Sequence, residues 1–214
     1  MLVKQRMTAH PITITIDTPV SEALSFMRQN NIRRLPVLDK KGELAGMVSE
    51  KDLLYASPSP ATSLSVYEVG YLLTKLKVKR IMTKEIITVA ANDPIEEAAR
   101  IMGDNKIGGL PVMEDGKMIG IITETDIFTT ILEMLGAREQ GLRLTIHAED
   151  QPGLLNRITQ AIAELGGDII ALGTFYGDDR STVIAMIKVR GVMEAALLTA
   201  MDELGIQVED LRNV

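Results

Sequence analysis

The chain is written twice over its first two thirds. Val3-Lys4-Gln5-Arg6-Met7-Thr8 returns as Val78-Lys79-Arg80-Ile81-Met82-Thr83, and Leu35-Pro36-Val37 returns as Leu110-Pro111-Val112. Gly46-Met47-Val48-Ser49-Glu50-Lys51-Asp52 returns as Gly120-Ile121-Ile122-Thr123-Glu124-Thr125-Asp126. The offset is 75 residues at the start of the unit and 74 after a one-residue deletion near Asp39-Lys40-Lys41-Gly42. A repeat of this length fixes the architecture before any single motif does. Two copies build a pseudo-two-fold body with a cleft on each side, and matching Ser/Thr and Asp residues at the unit ends point to a binder rather than a catalyst.

Each unit carries the same element order. Ile12-Thr13-Ile14-Thr15-Ile16 alternates with period two, which predicts a strand. Asp17-Thr18-Pro19 predicts a helix start, with Thr18 as cap and Pro19 in the first position. Ala23, Leu24, Met27 and Ile32 form its buried stripe. Leu35-Pro36-Val37-Leu38 and Leu44-Ala45-Gly46-Met47-Val48 predict a hairpin closed by Asp39-Lys40-Lys41-Gly42. Ser49-Glu50-Lys51-Asp52 opens a second helix. The second unit uses Asn92-Asp93-Pro94 as helix opener and Glu114-Asp115-Gly116-Lys117 as turn. Between the units, Ser57-Pro58-Ser59-Pro60-Ala61-Thr62-Ser63 is a linker that no helix crosses. Ser65-Val66-Tyr67-Glu68 is a capping-box pattern leading a helix with Val69, Leu72, Leu73 and Leu76 on one face.

After Leu135-Gly136-Ala137-Arg138-Glu139-Gln140-Gly141 the pattern changes. Leu142 to His147 alternates as a strand, and Asp150-Gln151-Pro152-Gly153 turns into a helix carrying Leu154, Leu155, Ile158, Ile162 and Leu165. Two strands follow, Ile169 to Phe175 and Val183 to Val189, joined by Gly177-Asp178-Asp179-Arg180. A helix from Met193 to Leu204 and a strand from Ile206 to Leu211 complete a βαββαβ order, the ferredoxin-like arrangement.

Composition narrows the function. There is no Cys among the 214 residues, so thiolate metal sites, disulfides and cysteine nucleophiles are excluded. His10 and His147 are the two imidazoles, and nothing brings them together. A net charge of −6 disfavours a nucleic-acid partner but not a small anion, which needs only a few local cations. No run of about 20 apolar residues predicts a membrane span. With no signal-peptide pattern at the start, a cytoplasmic protein is expected.

Each repeat resembles a CBS motif, on Met7-Thr8 and Met82-Thr83, the two Leu-Pro-Val triplets, and the two Gly-x-x-(Ser/Thr)-x-x-Asp ends. The pair resembles a Bateman module over residues 1–135, with CBS motif 1 at 1–56, linker and helix at 57–77 and CBS motif 2 at 78–135. Residues 142–214 resemble an ACT domain, on Asp150-Gln151-Pro152-Gly153-Leu154-Leu155, Ile158, Ile162 and Gly166-Gly167-Asp168-Ile169, with Asp168 where that family more often has Asn. The order CBS–CBS–ACT resembles the acetoin-utilization, AcuB-type proteins. The fold class expected is therefore mixed α and β: tandem CBS repeats followed by a βαββαβ ACT domain.

The CBS resemblance implies an adenine-nucleotide site in one or both clefts. Asp52 and Asp126 begin helices, where a carboxylate is favoured by the dipole and can take both ribose hydroxyls. Ser49 and Thr123 place hydroxyls beside backbone N–H groups suited to phosphate. Thr13-Ile14, Thr88-Val89, Met47-Val48 and Ile121-Ile122 supply apolar faces and backbone for a purine. Ordinary helix capping explains the same Ser/Thr and Asp residues. Arg33-Arg34 precedes the first Leu-Pro-Val and Gly108-Gly109 the second, so the clefts are expected to differ, the Arg-bearing one preferring more phosphate. The ACT resemblance implies an effector site at Asp150, Pro152, Gly153 and Leu154, against the alternative of a turn in a domain used only for assembly. The expectation is a non-enzymatic homodimer that senses AMP, ADP, ATP or S-adenosylmethionine, needs no cofactor, and acts on an unidentified enzyme. The alternative is a ligand-free adaptor.

Overall fold

The structure, a computed structural model, describes residues 1–56, 66–177 and 180–214. The Ser-Pro linker, Ser65 of the capping-box pattern, and Asp178-Asp179 lie outside the described residues, as do the side chains of Val69 and Leu73. The chain forms two compact units, Met1–Ile127 and Phe128–Val214.

In the first unit, strand β1 is Thr8–Ala9, β2 Ile14–Thr15, helix α1 Val20–Gln29, β3 Arg34–Leu38, β4 Leu44–Ser49, α2 Glu50–Tyr55 and α3 Val66–Lys75. The second repeat gives β5 Val89–Ala90, α4 Ile95–Asn105, β6 Gly109–Glu114, β7 Lys117–Thr123 and the start of α5, Glu124–Met134. The predicted strand over 12–16 shrinks to Ile14–Thr15. Ile14 enters the core, whereas Ile12 stays 41% exposed, and the chain turns when Thr18 N–H donates to Thr15 O. Thr18 does not cap α1. Its hydroxyl accepts from Thr15 N–H at 3.1 Å, and extended Pro19 occupies the cap position without a side-chain bond. Asp93 does the same in the second repeat, accepting from Ala90 N–H at 2.9 Å. These residues therefore staple the strand-to-helix turn.

The two repeats exchange their first segments. β1 pairs with β7 of the second repeat, Thr8 opposite Ile121, and Val3 and Met7 sit in the second core with Val89, Ala98, Leu110, Val112 and Ile122. Reciprocally, Thr83 bridges Met47 of β4 through two backbone hydrogen bonds of 2.9 Å. Val78, Ile81 and Met82 join the first core with Val20, Ala23, Leu24, Met27, Leu35, Val37 and Leu53. Both crossings pass over a glycine. A Cβ on Gly46 would lie 2.6 Å from Met82 Sδ and 2.9 Å from Thr83 O, and one on Gly120 would overlap Met7 and lie 3.0 Å from Thr8 O. Leu76, just past the end of α3, packs on the first core, while Leu72, expected on the buried face of that helix, is exposed.

In the second unit, β8 (Leu142–Glu149), α6 (Leu154–Glu164), β9 (Asp168–Tyr176), β10 (Thr182–Arg190), α7 (Glu194–Glu203) and β11 (Gln207–Asn213) follow the predicted βαββαβ order. The sheet is antiparallel with order β11-β8-β10-β9. Leu144, Ile146, Val183, Ala185, Ile187 and Val189 face Leu154, Ile158 and Ile162 of α6 and Leu197 and Met201 of α7. Full burial of such side chains stabilises by about 1.5–3 kcal/mol each. Within this unit the buried Lys188 ammonium donates to Gly136 O at 3.0 Å, just past the C-terminal end of α5, where a cation is favoured. Among the described residues no helix is long and apolar enough to cross a membrane.

The crossing glycines generate a test. Gly46→Ala and Gly120→Ala should each destabilise the first unit by about 1–3 kcal/mol, through overpacking against the exchanged segment. Gly103→Ala, in α4 with nothing within 4 Å of the added Cβ, should stabilise it by up to about 1 kcal/mol. Urea unfolding midpoints read both effects.

Candidate functional site

The end of β4 and the start of α2 build one wall of the site. Ser49 is extended (φ −102°, ψ 161°), so the first N–H groups of α2 have no partner within the helix, and Glu50 N–H donates instead to Arg33 O at 2.9 Å. The Ser49 hydroxyl accepts from Asp52 N–H at 3.2 Å. Asp52 Oδ2 accepts from Ser49 N–H at 2.8 Å and from the Ser49 hydroxyl at 2.6 Å. This reciprocal box satisfies the helix start and locks the carboxylate, using Oδ2 for both bonds. The second repeat repeats its carboxylate half: Asp126 Oδ2 accepts from Thr123 N–H at 2.8 Å and from Thr123 Oγ1 at 2.7 Å. The capping role expected of Ser49 and Asp52 is thus real in the first copy.

Ser49 and Asp52 face a cleft of about 460 Å³, within the range of small-molecule sites. Arg33, Arg34, Met47, Val48, Glu50 and Lys51 line it from the first repeat. Thr83, Glu85, Ile86, Ile87 and Lys106 to Gly109 line it from the second. The second wall stands where it does because the Thr83–Met47 bridge docks the exchanged segment beside β4 immediately before Glu85.

Of the expected nucleotide-site residues, Arg33, Arg34, Ser49 and Asp52 meet in this cleft. Thr123 and Asp126 occupy the pseudo-symmetric position outside it. Ile14 and Val89 do not line it, because both side chains are buried in the two cores. Thr13 and Thr88, beside them, do not line it either. The apolar wall comes instead from Ile86-Ile87, three residues past the Met82-Thr83 motif. The sequence signal was present, since Glu85-Ile86-Ile87 is an apolar pair that the strand pattern does not use. Met47-Val48 lines the cleft as expected.

The Arg/Gly difference between the repeats does not divide the pairs between two clefts. Arg33-Arg34 and Gly108-Gly109 face each other across this one. The Arg34 stem runs beside Gly109, its Cδ 3.2 Å from where a Cβ would be, and its guanidinium rests on Gly108, where a Cβ would overlap it. Glu124 converges on the same spot, 3.5 Å from Arg34 Nη2. Among the described residues Arg33 and Lys106 make no ion pair. Lys106 sits in the left-handed region at φ 53°, the position that Asn31 holds at φ 51° in the first repeat. Asn tolerates that conformation more readily than Lys does, and Lys106 takes it as the left-handed residue that closes the end of α4.

In the second unit a wider hollow of about 790 Å³ is lined by Asp150, Gln151, Gly153, Leu154, Leu155, Asn156, Thr174, Phe175, Tyr176 and Val183. It gathers three of the four expected effector residues and leaves out Pro152. Gly153 adopts φ 88° with open space over its Cβ position, at the N-terminal end of α6. Among the described residues no group of three or more His, Asp and Glu side chains could hold a metal ion.

The CBS domain family model matches residues 3–59 and 78–133, and the chain belongs to that family. It is 35% identical over 136 residues to a CBS domain-containing protein of Dictyostelium discoideum, covering 63% of this chain and 94% of that one. It is 26% identical over 200 residues to an inosine-5′-monophosphate dehydrogenase of Thermoplasma acidophilum, covering 93% of this chain but 38% of the enzyme. Among solved structures, the CBS domain pair of protein MJ0100 in complex with 5′-methylthioadenosine and S-adenosyl-L-methionine superposes with TM-score 0.52 at 27% identity, covering 65% of this chain and 98% of that one. A Vibrio cholerae protein described as an acetoin utilization protein (AcuB) superposes with TM-score 0.53 at 30% identity, covering 65% and 96%.

The Ser49–Asp52 capping box can be tested without any ligand. Ser49→Ala and Asp52→Ala should each cost about 1 kcal/mol of stability. The double variant should cost less than the sum, because the two residues share their hydrogen bonds. Denaturant unfolding of the four proteins closes the cycle.

Proposed function

We propose that this protein is a regulatory sensor whose first unit binds an adenosine-type ligand in the cleft between Asp52 and Ile86-Ile87. The observation that carries the reading is the convergence of three kinds of group on one hollow of ligand size: a locked carboxylate, an apolar wall, and the cations Arg33 and Lys106, which make no ion pair among the described residues. The adenine lies between Ile86-Ile87 and Met47-Val48, with backbone groups reading its edge. Asp52 accepts from the ribose hydroxyls through Oδ1, leaving the capping bonds on Oδ2 intact. Arg33 and Lys106 lie toward the 5′ substituent. The binding of 5′-methylthioadenosine and S-adenosyl-L-methionine by the related MJ0100 pair supports this choice of ligand class.

In the same reading the βαββαβ unit is an ACT domain. It pairs with a second copy and takes a small metabolite at the Asp150–Leu154 turn. Its support is the order of its elements, the open hollow at Gly153, and the nine-residue edge strand β9 carrying exposed Phe175 and Tyr176. Unpaired strand edges of that length invite association. Helix α5 begins at the Thr123–Asp126 cap and ends in the second unit, so a ligand that prefers one packing of the repeats shifts what α5 transmits by its difference in affinity.

Thermal unfolding with AMP, ADP, ATP, 5′-methylthioadenosine and S-adenosylmethionine tests the sensor. A ligand at about 100 times its dissociation constant adds about 2.7 kcal/mol to the native state. The expected result is a shift with at least one compound that Asp52→Ala abolishes and Asp126→Ala retains. No shift with any compound would replace the sensor by a ligand-free adaptor. For the second unit, sedimentation velocity should show a dimer, and Phe175→Lys with Tyr176→Lys should shift it toward monomer. A wild-type monomer at all concentrations would refute the assembly role.

A further inference from the structure

The arginine at the cleft is not simply free to meet a ligand. Arg34 starts β3 in the first repeat, and its guanidinium crosses to the bare backbone of Gly108 in the second. There Glu124, the first residue of α5, faces it at 3.5 Å with the Arg34 side chain 31% and the Glu124 side chain 68% exposed. The pseudo-two-fold mate of this contact would join position 109 to Glu50, and position 109 is glycine. The molecule therefore holds one arginine at the junction, with an internal anion already beside it. An exposed ion pair of this length is weak. A phosphate that takes the planar fork of the guanidinium bidentately is a stronger partner. Arg33 from the first repeat and Lys106 from the second, which make no ion pair among the described residues, line the same cleft and can share that phosphate. A neutral thioether such as that of 5′-methylthioadenosine has nothing to offer Arg34 that Glu124 does not already supply.

We infer that Arg34 is the phosphate-selecting residue of this cleft and that Glu124 is the built-in competitor a ligand phosphate must displace, so that the site prefers 5′-phosphorylated adenosines to 5′-thioether ones. Glu124 is a positioning residue here, acting on the ligand through Arg34. Because Glu124 opens α5, displacing it also frees the carboxylate at the start of that helix. The inference rests on the adenosine-site reading and sharpens it.

Isothermal titration of the full chain with AMP, ATP and 5′-methylthioadenosine provides the test, using wild type, Glu124→Gln, Arg34→Gln and the double variant. Wild type should bind AMP and ATP more tightly than 5′-methylthioadenosine. Glu124→Gln should tighten AMP and ATP by about two- to five-fold, the worth of an exposed ion pair, and leave 5′-methylthioadenosine unchanged. Arg34→Gln should weaken AMP and ATP only, and in its background Glu124→Gln should change nothing. Retained 5′-methylthioadenosine binding shows that each variant is folded with its cleft intact. Equal effects on all three compounds, or a Glu124→Gln effect that persists without Arg34, would overturn the selector. A wild type that binds none of the three would instead remove the adenosine-site reading itself, and the selector with it.

Discussion

The exchange of the first segments underlies everything else in the first unit. Neither repeat holds its own Met-Thr segment: Met7 fills the second core and Met82 the first, and each carries a strand or bridge over a glycine into the neighbour's hairpin. Removing either crossing would leave an unpaired edge on β4 or β7 and a hole where a methionine had been, costs that close packing makes severe. The crossing also makes the cleft. Thr83 is pinned to Met47, so Glu85, Ile86 and Ile87 must leave the sheet beside the end of β4, opposite Ser49 and Asp52. A binding wall composed of two distant stretches of sequence is thus a by-product of the same hydrogen bonds that join the repeats.

A duplicated body should give two equal clefts, and the side chains at its junction prevent that. Two arginines at positions 34 and 109 would meet near the pseudo-dyad with like charge in a confined space. Glycine at 108 and 109 lets one arginine lie across the junction instead, against bare backbone. Lys106 then stands where Asn31 stands in the other copy, and Lys51 where the other copy has Thr125. The cleft at Asp52 consequently carries more positive charge than its mate position at Asp126. Arg33, Arg34, Lys51 and Lys106 there offset Glu50, Asp52 and Glu85, so the cleft is far less acidic than a chain of net charge −6 would suggest.

Much of the architecture was legible because repeats and periodicity report on local structure. The hairpins, the Ala23-Leu24-Met27 stripe, the Ser49–Asp52 capping box and the βαββαβ order all follow from patterns within about ten residues. What failed to show in the sequence depends on which of several possible partners each side chain meets in the folded chain. Ile14 and Val89 looked like cleft residues, but parallel pairing with Val37 and Val112 of their own repeats turns them into the cores, while the exchanged segment brings Ile86-Ile87 to the cleft. Thr18 has the chemistry of a cap, but the Thr15–Thr18 turn captured its hydroxyl first. Arg33-Arg34 and Gly108-Gly109 read as alternatives, one per cleft, because a linear comparison aligns them. Only the pseudo-two-fold brings them face to face.

In the proposed site, Asp52 can cap the helix and meet a ligand without conflict. A helix cap and a ligand contact need not compete, because a carboxylate has two oxygens and the box uses one. With Oδ2 held by the Ser49 amide and hydroxyl, the side chain has already lost its rotamer freedom before any ligand arrives, so a ligand meeting Oδ1 does not bear that entropic cost. The desolvation it meets is also reduced, since the carboxylate is partly buried and already hydrogen-bonded within the protein. The same arrangement at Thr123 and Asp126 is set at the first turn of α5, the one helix that runs from the first unit into the second. Within the second unit, the residues just past α5 are tied down where the Lys188 ammonium holds the Gly136 carbonyl.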